Sequence, residues 1–284
     1  MKIIVCIKQV PNTNVIKINP VTGTLIRDGV PSIMNPDDKG GLEMALRLKD
    51  QLGAHVTVIT MGPPQADAIC REAFAMGADR AIILSDRRFA GADTLATSYA
   101  LATAIRKIGD VDVVIGGRQA IDGDTAQVGP QVAQKLGLNQ VTYAEEILGI
   151  ADGKATIRRH IDGGVETVEA PLPLLVTVNG SAAPCRPQHA KLVMKYKHAS
   201  CPLERPADDP RAELYAQKPY LTLTQWSVAD IDGDTALCGL AGSPTKVKSV
   251  VNIAFQAKES KTLSASDADV EGLVKELLAE KIIG

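Results

Sequence analysis

Short apolar runs alternate with amphipathic stretches over the first 140 residues of the chain. The apolar runs are rich in β-branched residues and alternate little with polar ones, which is typical of parallel strands covered on both faces. They predict strands over Ile3–Ile7, Val56–Thr60, Ala81–Leu84 and Val113–Ile115. The amphipathic stretches predict helices over Asp37–Leu52, Gln65–Met76, Asp93–Ile108 and Thr125–Leu136. Four strand–helix units in series indicate a doubly wound α/β sheet.

The pattern changes after residue 140. Further strands are predicted over Gln140–Ile150, Ala155–Ile161, Val165–Glu169 and Leu174–Val178. Tight-turn sequences separate the first three, so we expect an antiparallel extension of a mainly parallel sheet. The long polar stretch from Asn12 to Ser32 predicts a small hairpin between the first strand and the first helix.

From Cys185 onward prolines interrupt the pattern, and the next helix that the sequence predicts covers Asp267–Glu280, with Ser266 as its N-cap. Such a stretch has little core of its own. We therefore expect an extended C-terminal arm that packs on a partner subunit.

Length and charge narrow the class of protein. The 284 residues can bury a sizeable core, and a formal net charge of −2 gives no general attraction to nucleic acid or to an anionic membrane. No apolar run approaches the roughly 20 residues of a membrane-spanning helix. Met1 leads directly into a strand instead of a signal peptide. We expect a cytoplasmic protein with no nucleic-acid partner and no membrane insertion.

Cysteine and histidine are dispersed along the chain. No two of the five cysteines have the two-residue spacing of a zinc or iron–sulfur site, and no catalytic triad can be assembled from the spacing. We therefore expect neither a metal centre nor a catalytic side chain. Cys6 lies in an apolar strand pattern, where a small buried side chain is the simplest interpretation.

The clearest chemistry follows the strand that ends at Gly116 and Gly117. Glycines past a strand let the backbone approach a ligand, and the free N–H groups of the next helix attract phosphate. In an α/β sheet the ligand crevice lies beyond the carboxyl ends of the strands. Residues 8–11 and 60–62 are therefore expected to line a nucleotide site together with the loop from Gly116 onward. The dinucleotide fingerprint G-x-G-x-x-G and the P-loop are both absent.

Two interpretations of the acidic residues in this loop stay open. Asp124 followed by Gln127 resembles a capping box, and Asp122 braces the turn, which would make both residues structural. Alternatively they contact ribose hydroxyls or adenine donors, because a carboxylate placed on a pyrophosphate would repel it. Arg118 is the predicted counter-charge for phosphate.

Five segments together resemble the β subunit of the electron-transfer flavoproteins. They occur in order at residues 5–11, 34–38, 75–81, 117–128 and 161–167, and they read VCIKQVP, MNPDD, AMGADRA, GRQAIDGDTAQV and IDGGVET. The resemblance spans nearly the whole chain. It implies a heterodimer with a flavin-binding α subunit, which passes electrons between a dehydrogenase and an acceptor.

The resemblance also implies a nucleotide site on this subunit. In ordinary members the site holds AMP as a structural element. In electron-bifurcating members it holds a second FAD, which takes a hydride from NADH and divides the electron pair between ferredoxin and a flavin-dependent dehydrogenase. Combined with the strand ends above, the predicted cofactor-binding residues are Cys6, Lys8, Pro11, Asn35, Asp38, Thr60, Met61, Gly62, Gly117, Arg118, Gln119, Ala120, Ile121, Asp122, Gly123, Asp124, Thr125, Ala126, Gln127 and Val128.

Three features favour the bifurcating type. The loop carries Gly123 and Ala126 where AMP-type members usually have an acid and an Asn, and both the opening Lys8–Pro11 and residues 239–245 are similar to bifurcating members. We therefore expect FAD, with NAD as a transient substrate. Structural AMP is the alternative, and a non-redox nucleotide-sensing α/β module is a third. Hydride transfer is flavin chemistry, so no side chain of this chain needs to act as an acid or base.

Residues 191–197 resemble the loop by which the family docks on acyl-CoA dehydrogenases, with Met194 and Tyr196 as apolar contacts. Ala190 stands where the family usually has an anchoring Leu, and an ordinary solvated basic stretch is the alternative. The predicted organisation is a nucleotide-binding α/β domain over residues 1–190, followed by the docking loop and C-terminal arm over residues 191–284.

Overall fold

The computed structural model describes residues 1–12, 17–18, 25–26, 31–245 and 260–283. These residues form two compact units. The larger holds residues 1–12 and 31–245, and the smaller holds residues 17–18, 25–26 and 260–283. Among the described helices, none combines the length and the apolar character needed to cross a membrane.

The described elements follow the alternating order that the sequence predicts. The strands are β1 (Lys2–Cys6), β2 (Gln9–Pro11), β3 (Lys17–Ile18), β4 (Leu25–Ile26), β5 (Ser32–Met34), β6 (His55–Met61), β7 (Arg80–Leu84), β8 (Val113–Gly117), β9 (Asn139–Ala151), β10 (Lys154–Ile161), β11 (Gly164–Pro171), β12 (Leu174–Val178) and β13 (Thr224–Trp226). The α-helices are α1 (Pro36–Leu52), α2 (Asp67–Met76), α3 (Thr94–Ile108), α4 (Val128–Leu136), α5 (Ala190–Tyr196), α6 (Ala212–Gln217) and α7 (Asp267–Ala279).

A nine-stranded sheet in the order β11-β10-β9-β12-β8-β1-β6-β7-β13 forms the centre of the larger unit. β1 pairs in parallel with both β6 and β8, whereas β10 is antiparallel to β9 and β11. Ile3 and Val5 face one apolar core and Ile4 faces the other, because successive side chains of a strand point to opposite sides. The doubly wound, mainly parallel sheet with an antiparallel extension is thus confirmed.

β12 is placed differently from the sequence prediction. It was expected in the antiparallel extension, but it runs parallel to β8 and β9 and lies between them. All five of its residues are buried, as required of a strand that is covered on both faces. The antiparallel part therefore consists of the pairs that β10 makes with β9 and β11.

The stretch after Cys185 contains structure that the sequence pattern did not reveal. β13 adds to the edge of the central sheet in parallel with β7, and Thr224 pairs with Ile82. Leu221 and Leu223 are buried beside it. The expectation of a nearly coreless arm is wrong for this part of the chain, because a three-residue strand is too short to show a periodic pattern.

The smaller unit agrees with two local predictions. β3 and β4 pair antiparallel, as expected of a hairpin between Asn12 and Ser32. The side chain of Ser266 accepts a hydrogen bond from the Asp269 amide and caps α7. Exposed apolar side chains lie along this helix at Val270, Leu273, Val274 and Leu278.

Candidate functional site

Three segments of the predicted site meet at one edge of the central sheet. β1 ends at Cys6, β6 ends at Met61 and β8 ends at Gly117, and β1 lies between the other two strands. The chain proceeds from β1 through β6 to β7 on one side, then returns to place β8 on the other side of β1. A reversal of this kind opens a crevice beyond the strand ends, where α/β proteins bind their ligands.

Asp38 joins the two sides of this crevice. Its carboxylate accepts hydrogen bonds from the backbone N–H of Lys8, at 2.8 Å, and from that of Gly117, at 2.9 Å. A Cβ on Gly117 would lie 2.5 Å from Asp38 Oδ1, so only glycine permits this approach. Burial raises the pKa of the Asp38 carboxyl to about 7. Asp38 therefore holds the strand ends together.

Asn35 fixes the loop that follows β8. It is the N-cap residue of α1, but its side chain makes no capping hydrogen bond. Instead its amide donates to the Gln119 carbonyl at 2.8 Å, and its side-chain oxygen accepts from the Ile121 N–H at 3.1 Å. Asn35 therefore stands at the start of α1, but its side chain belongs to the site.

The loop itself differs from the predicted capping box. The helix begins at Val128 instead of Thr125, and Gln127 occupies its N-cap position. Asp124 and Ala126 adopt left-handed backbone angles, with φ of 48° and 52°. The Asp124 carboxylate accepts from Gln119 Nε2 at 2.8 Å. Asp124 is thus a brace within the loop and does not cap α4, because the left-handed residues delay the start of the helix.

A row of free donors results from this geometry. Within the described residues, the backbone N–H groups of residues 125–129 have no acceptor. The first N–H groups of a helix carry the positive end of its dipole, and left-handed residues before them turn neighbouring N–H groups toward a common point. We call residues 125–129 the amide cradle. Its chemistry suits a phosphate group.

The charged side chains around the amide cradle are engaged with carboxylates. Lys8 Nζ lies 2.7 Å from Asp122 Oδ1. Arg118 Nε lies 3.6 Å from Asp37 Oδ2, and neither of these two buried atoms has a hydrogen-bond partner among the described residues. Burial raises the pKa of Asp37, and Arg118 opposes that rise. The predicted phosphate counter-charge of Arg118 is therefore partly neutralised within the site.

Comparisons with known proteins bear on this arrangement. Residues 22–201 match the family model described as the electron transfer flavoprotein domain. The electron transfer flavoprotein subunit beta of Clostridium acetobutylicum is 50% identical over 249 residues, which cover 87% of this chain and 86% of that protein. The chain belongs to the electron transfer flavoprotein family. The predicted resemblance to a β subunit is thereby confirmed.

Two further relatives of this electron transfer flavoprotein chain carry other names. The caffeyl-CoA reductase–Etf complex subunit CarD of Acetobacterium woodii is 48% identical over 255 residues, covering 87% of this chain and 86% of that protein. Protein FixA of Azorhizobium caulinodans is 44% identical over 285 residues, which cover 98% of this chain and 94% of that protein. Family membership favours electron transfer over the nucleotide-sensing alternative.

The remaining predicted residues of this electron transfer flavoprotein chain lie along the same edge or near it. Thr60 is buried at the end of β6, and the Gly62 N–H donates to the Leu84 carbonyl at 3.1 Å. The Ala120 carbonyl accepts from the N–H groups of residues 123 and 124. Pro11 ends β2 and pairs with Ser32 of β5. Burial raises the pKa of the Cys6 thiol to about 12, which makes it a neutral packing group.

Several residues that shape the site gave no signal in the sequence. Thr94 at the start of α3 donates from Oγ1 to Gln127 Oε1 at 2.9 Å. The Arg118 N–H donates to the Val178 carbonyl, and the Arg118 guanidinium lies 5.9 Å from the ring centre of Tyr143. These contacts join positions that are more than 20 residues apart. The contact with Val178 follows from the place of β12 beside β8, and the contact with Thr94 follows from the packing of α3 beside α4; neither is visible in a local pattern.

The residues present fit a nucleotide of the kind that the electron transfer flavoprotein family implies. The amide cradle supplies donors for phosphate, and Asp37 Oδ2 and Arg118 Nε are buried polar atoms that lack hydrogen bonds among the described residues. Among the described residues, a Cβ on Gly123 would meet no atom within 4 Å, so this part of the chain leaves open space beside the cradle. The predicted site is thus a donor-rich crevice with room beside its phosphate position.

Proposed function

We propose that this chain is the β subunit of a heterodimeric electron transfer flavoprotein, that it binds FAD at the amide cradle and that NADH is oxidised there. One observation carries the proposal. The N–H groups of residues 125–129, which have no acceptor in the part of the chain that the structure describes, follow β8 at the point where the strand order reverses. Electrons would pass from this site to ferredoxin and to a flavin-dependent dehydrogenase.

The residues of this chain position and hold the cofactor. FAD, when bound, supplies a flavin that accepts a hydride from NADH and passes electrons onward. The cradle amides hold phosphate oxygens without side-chain charge, since Lys8 is neutralised by Asp122 at 2.7 Å. Asp124, held by Gln119, is in place to accept a hydrogen bond from a ribose hydroxyl. No side chain needs to move a proton.

The open space at Gly123 favours FAD over AMP. In a dinucleotide a second phosphate follows the one held by the cradle and lies just outside it. A negatively charged side chain at that place would block and repel the second phosphate. Gly123 has neither a side chain nor a charge, and no atom of the described residues lies within 4 Å of where its Cβ would be. Structural AMP remains the second candidate, since the cradle binds a single phosphate equally well.

Exposed apolar surfaces support the proposed partners. Met194 is 69% exposed on α5, within the predicted docking loop, and Val193 beside it is 38% exposed. Tyr196, also predicted as a docking contact, stacks on Phe74 with ring centres 4.4 Å apart and so belongs to the packing of this chain. One relative is named as a subunit of a complex with caffeyl-CoA reductase, which supports an acyl-CoA dehydrogenase as the partner of α5. The apolar residues along α7 suit contact with the α subunit.

Nucleotide analysis of the purified heterodimer tests the cofactor. We expect denaturation to release two FAD per heterodimer, and NADH to reduce ferredoxin only when the oxidised substrate of the dehydrogenase is also present. One FAD together with one AMP would leave the family role intact and overturn the FAD proposal. Absence of any nucleotide beyond the first FAD would overturn the site itself.

A charge placed at Gly123 tests the position of the site. We expect Gly123→Asp to lower FAD occupancy about tenfold, because repulsion between the new carboxylate and the bound phosphate would cost about 1.4 kcal/mol. Gly149→Asp is the matched control, since a Cβ at Gly149 also meets nothing within 4 Å but lies in β9. Equal occupancy in the two variants would contradict the proposed site.

A further inference from the structure

A polar cleft of about 280 Å³ lies in the larger unit, away from the amide cradle. Segments from four places in the chain form its walls: the start of α2, residues 197–200 after α5, Arg205, and Arg211 at the start of α6. The described residues that line it are Asp67, Arg71, Lys197, His198, Ala199, Ser200, Arg205 and Arg211. We call it the basic cleft.

The three arginines of the basic cleft are held in fixed orientations. Arg71 Nη1 lies 2.8 Å from Asp67 Oδ1 and donates to the Ala199 carbonyl at 2.8 Å. Arg211 forms hydrogen bonds to both carboxylate oxygens of Asp209. Asp67 and Asp209 are both buried, so they orient guanidinium groups from behind while contributing little surface of their own.

Arg205 is fixed most firmly. Its Nε donates to Ser200 Oγ at 2.9 Å, and its Nη2 donates to the Thr222 hydroxyl and to the carbonyls of Ser200 and Leu221. The guanidinium lies 3.4 Å from the ring centre of Tyr215. Its Nη1, like that of Arg211, donates to no acceptor among the described residues. Two rigid guanidinium groups thus keep free donors.

The basic cleft carries more positive than negative charge. Arg71, Lys197, Arg205 and Arg211 face two carboxylates, those of Asp67 and Asp209. Lys197 has no carboxylate partner among the described residues, and its ammonium is free to reach a ligand. Counted over the described side chains, four cations and two anions leave two positive charges, even with His198 neutral.

We propose that the basic cleft binds a phosphoryl group, either as free phosphate or as the phosphate of a small metabolite. Phosphate offers acceptor oxygens in several directions and carries a charge near −2, which matches several guanidinium groups lining one cleft and the excess charge. At about 280 Å³ the cleft is many times larger than the space that a single water needs, which leaves room for a phosphate and its nearest substituent. A carboxylate offers fewer acceptors in a single plane and satisfies this set less well.

Calorimetric titration of the purified heterodimer, with its own nucleotides bound, tests the site. The probes are inorganic phosphate, ribose 5-phosphate and ribose, at an ionic strength held constant with potassium chloride. We expect both phosphates, but not ribose, to saturate one site per heterodimer. The tighter of the two phosphates identifies the source. Absence of saturable phosphate binding would overturn the proposal.

Two variants locate the binding in the basic cleft. Lys197→Gln changes an exposed side chain that makes no hydrogen bond or ion pair with the described residues. We expect it to weaken phosphate binding about tenfold, as for the loss of one charge-assisted hydrogen bond. Lys191→Gln is the matched control, because it removes the same charge from the same segment outside the cleft. We expect the control to bind as the wild type does. Equal weakening in both, or in neither, would contradict the cleft as the site.

Discussion

The buried carboxylate of Asp38 links the ends of two neighbouring strands through hydrogen bonds. The sequence places it in the first turn of a helix, where an acidic residue usually interacts with the helix dipole. In the structure its carboxylate accepts hydrogen bonds from the backbone N–H groups of Lys8 and Gly117, which are 30 and 79 positions away in the sequence. Asn35 likewise bonds the loop instead of its own helix. The amphipathic pattern predicted the helix next to these two residues, but the partners of both side chains are set by the tertiary fold.

Asp38 gives the stability of the protein a specific pH dependence. Burial raises the pKa of Asp38 to about 7, whereas the pKa of an Asp in an unfolded chain is about 4. Between these values the folded chain keeps a proton that the unfolded chain releases, so the contribution of Asp38 to stability falls as the pH rises through this window. Asp38→Asn removes the titration.

Thermal denaturation of the heterodimer across that pH window measures the effect. We expect the thermal midpoint of the Asp38→Asn variant, measured relative to that of the wild type, to increase as the pH rises. This difference should become constant above about pH 7. Any loss of hydrogen bonding by the amide adds a constant offset, because it does not titrate. Midpoints that stay parallel throughout would contradict a raised pKa at Asp38.

At the level of elements, the position of α4 decides where the amide cradle points. α4 packs on β12 through Gly129, where a Cβ would lie 2.7 Å from Thr177 Cγ2. The strand pattern of β12 was predicted, but its place beside β8 was not. Periodicity shows which residues are buried, but it does not show the order of the strands in the sheet. Here β9 leaves a gap beside β8, and β12 occupies that gap only after β10 and β11 have been formed along the chain. The close approach of Gly129 to Thr177 could therefore not be foreseen.

Gly129→Ala tests whether this packing sets the cradle. Alanine normally stabilises a helix interior relative to glycine by about 0.5–1 kcal/mol, but here we expect a loss of about 2 kcal/mol, since the methyl group overlaps Thr177. Nucleotide occupancy should fall with it. Adding Thr177→Ser removes Cγ2 and keeps the oxygen that accepts from the Tyr143 N–H, so both properties should recover.

The control for this pair is Gly40→Ala in α1. A Cβ there would lie 3.6 Å from Val178 Cγ1, an ordinary contact, so the variant should match or exceed the wild type in thermal midpoint. The measurements are the midpoint and the nucleotide released on denaturation. Failure of Thr177→Ser to rescue Gly129→Ala would show that the overlap is not the cause.

For the whole molecule, the sequence predicted the parallel centre well and the later stretch poorly. β1, β6, β7 and β8 are mainly apolar and β-branched, and their burial on both faces explains why the pattern could be recognised. β13 is three residues long and lies after several prolines, so nothing periodic marks it. The candidate site could be predicted together with the parallel centre, because strand ends and a glycine-rich turn are local features of the sequence. Its supporting contacts to Thr94, Tyr143 and Val178 were not local and stayed hidden.

Amide hydrogen exchange in the heterodimer distinguishes a β13 that belongs to the central sheet from an arm held by a partner. Ile82 of β7 is buried and pairs with Thr224 of β13. We expect Ile82→Ala, which removes buried volume from β7, to accelerate exchange at least about tenfold in peptides covering residues 80–84 and 223–228. The β10–β11 hairpin at the other end of the sheet opens locally and should exchange as in the wild type. If residues 223–228 were protected by a partner subunit alone, their exchange would be unchanged by Ile82→Ala.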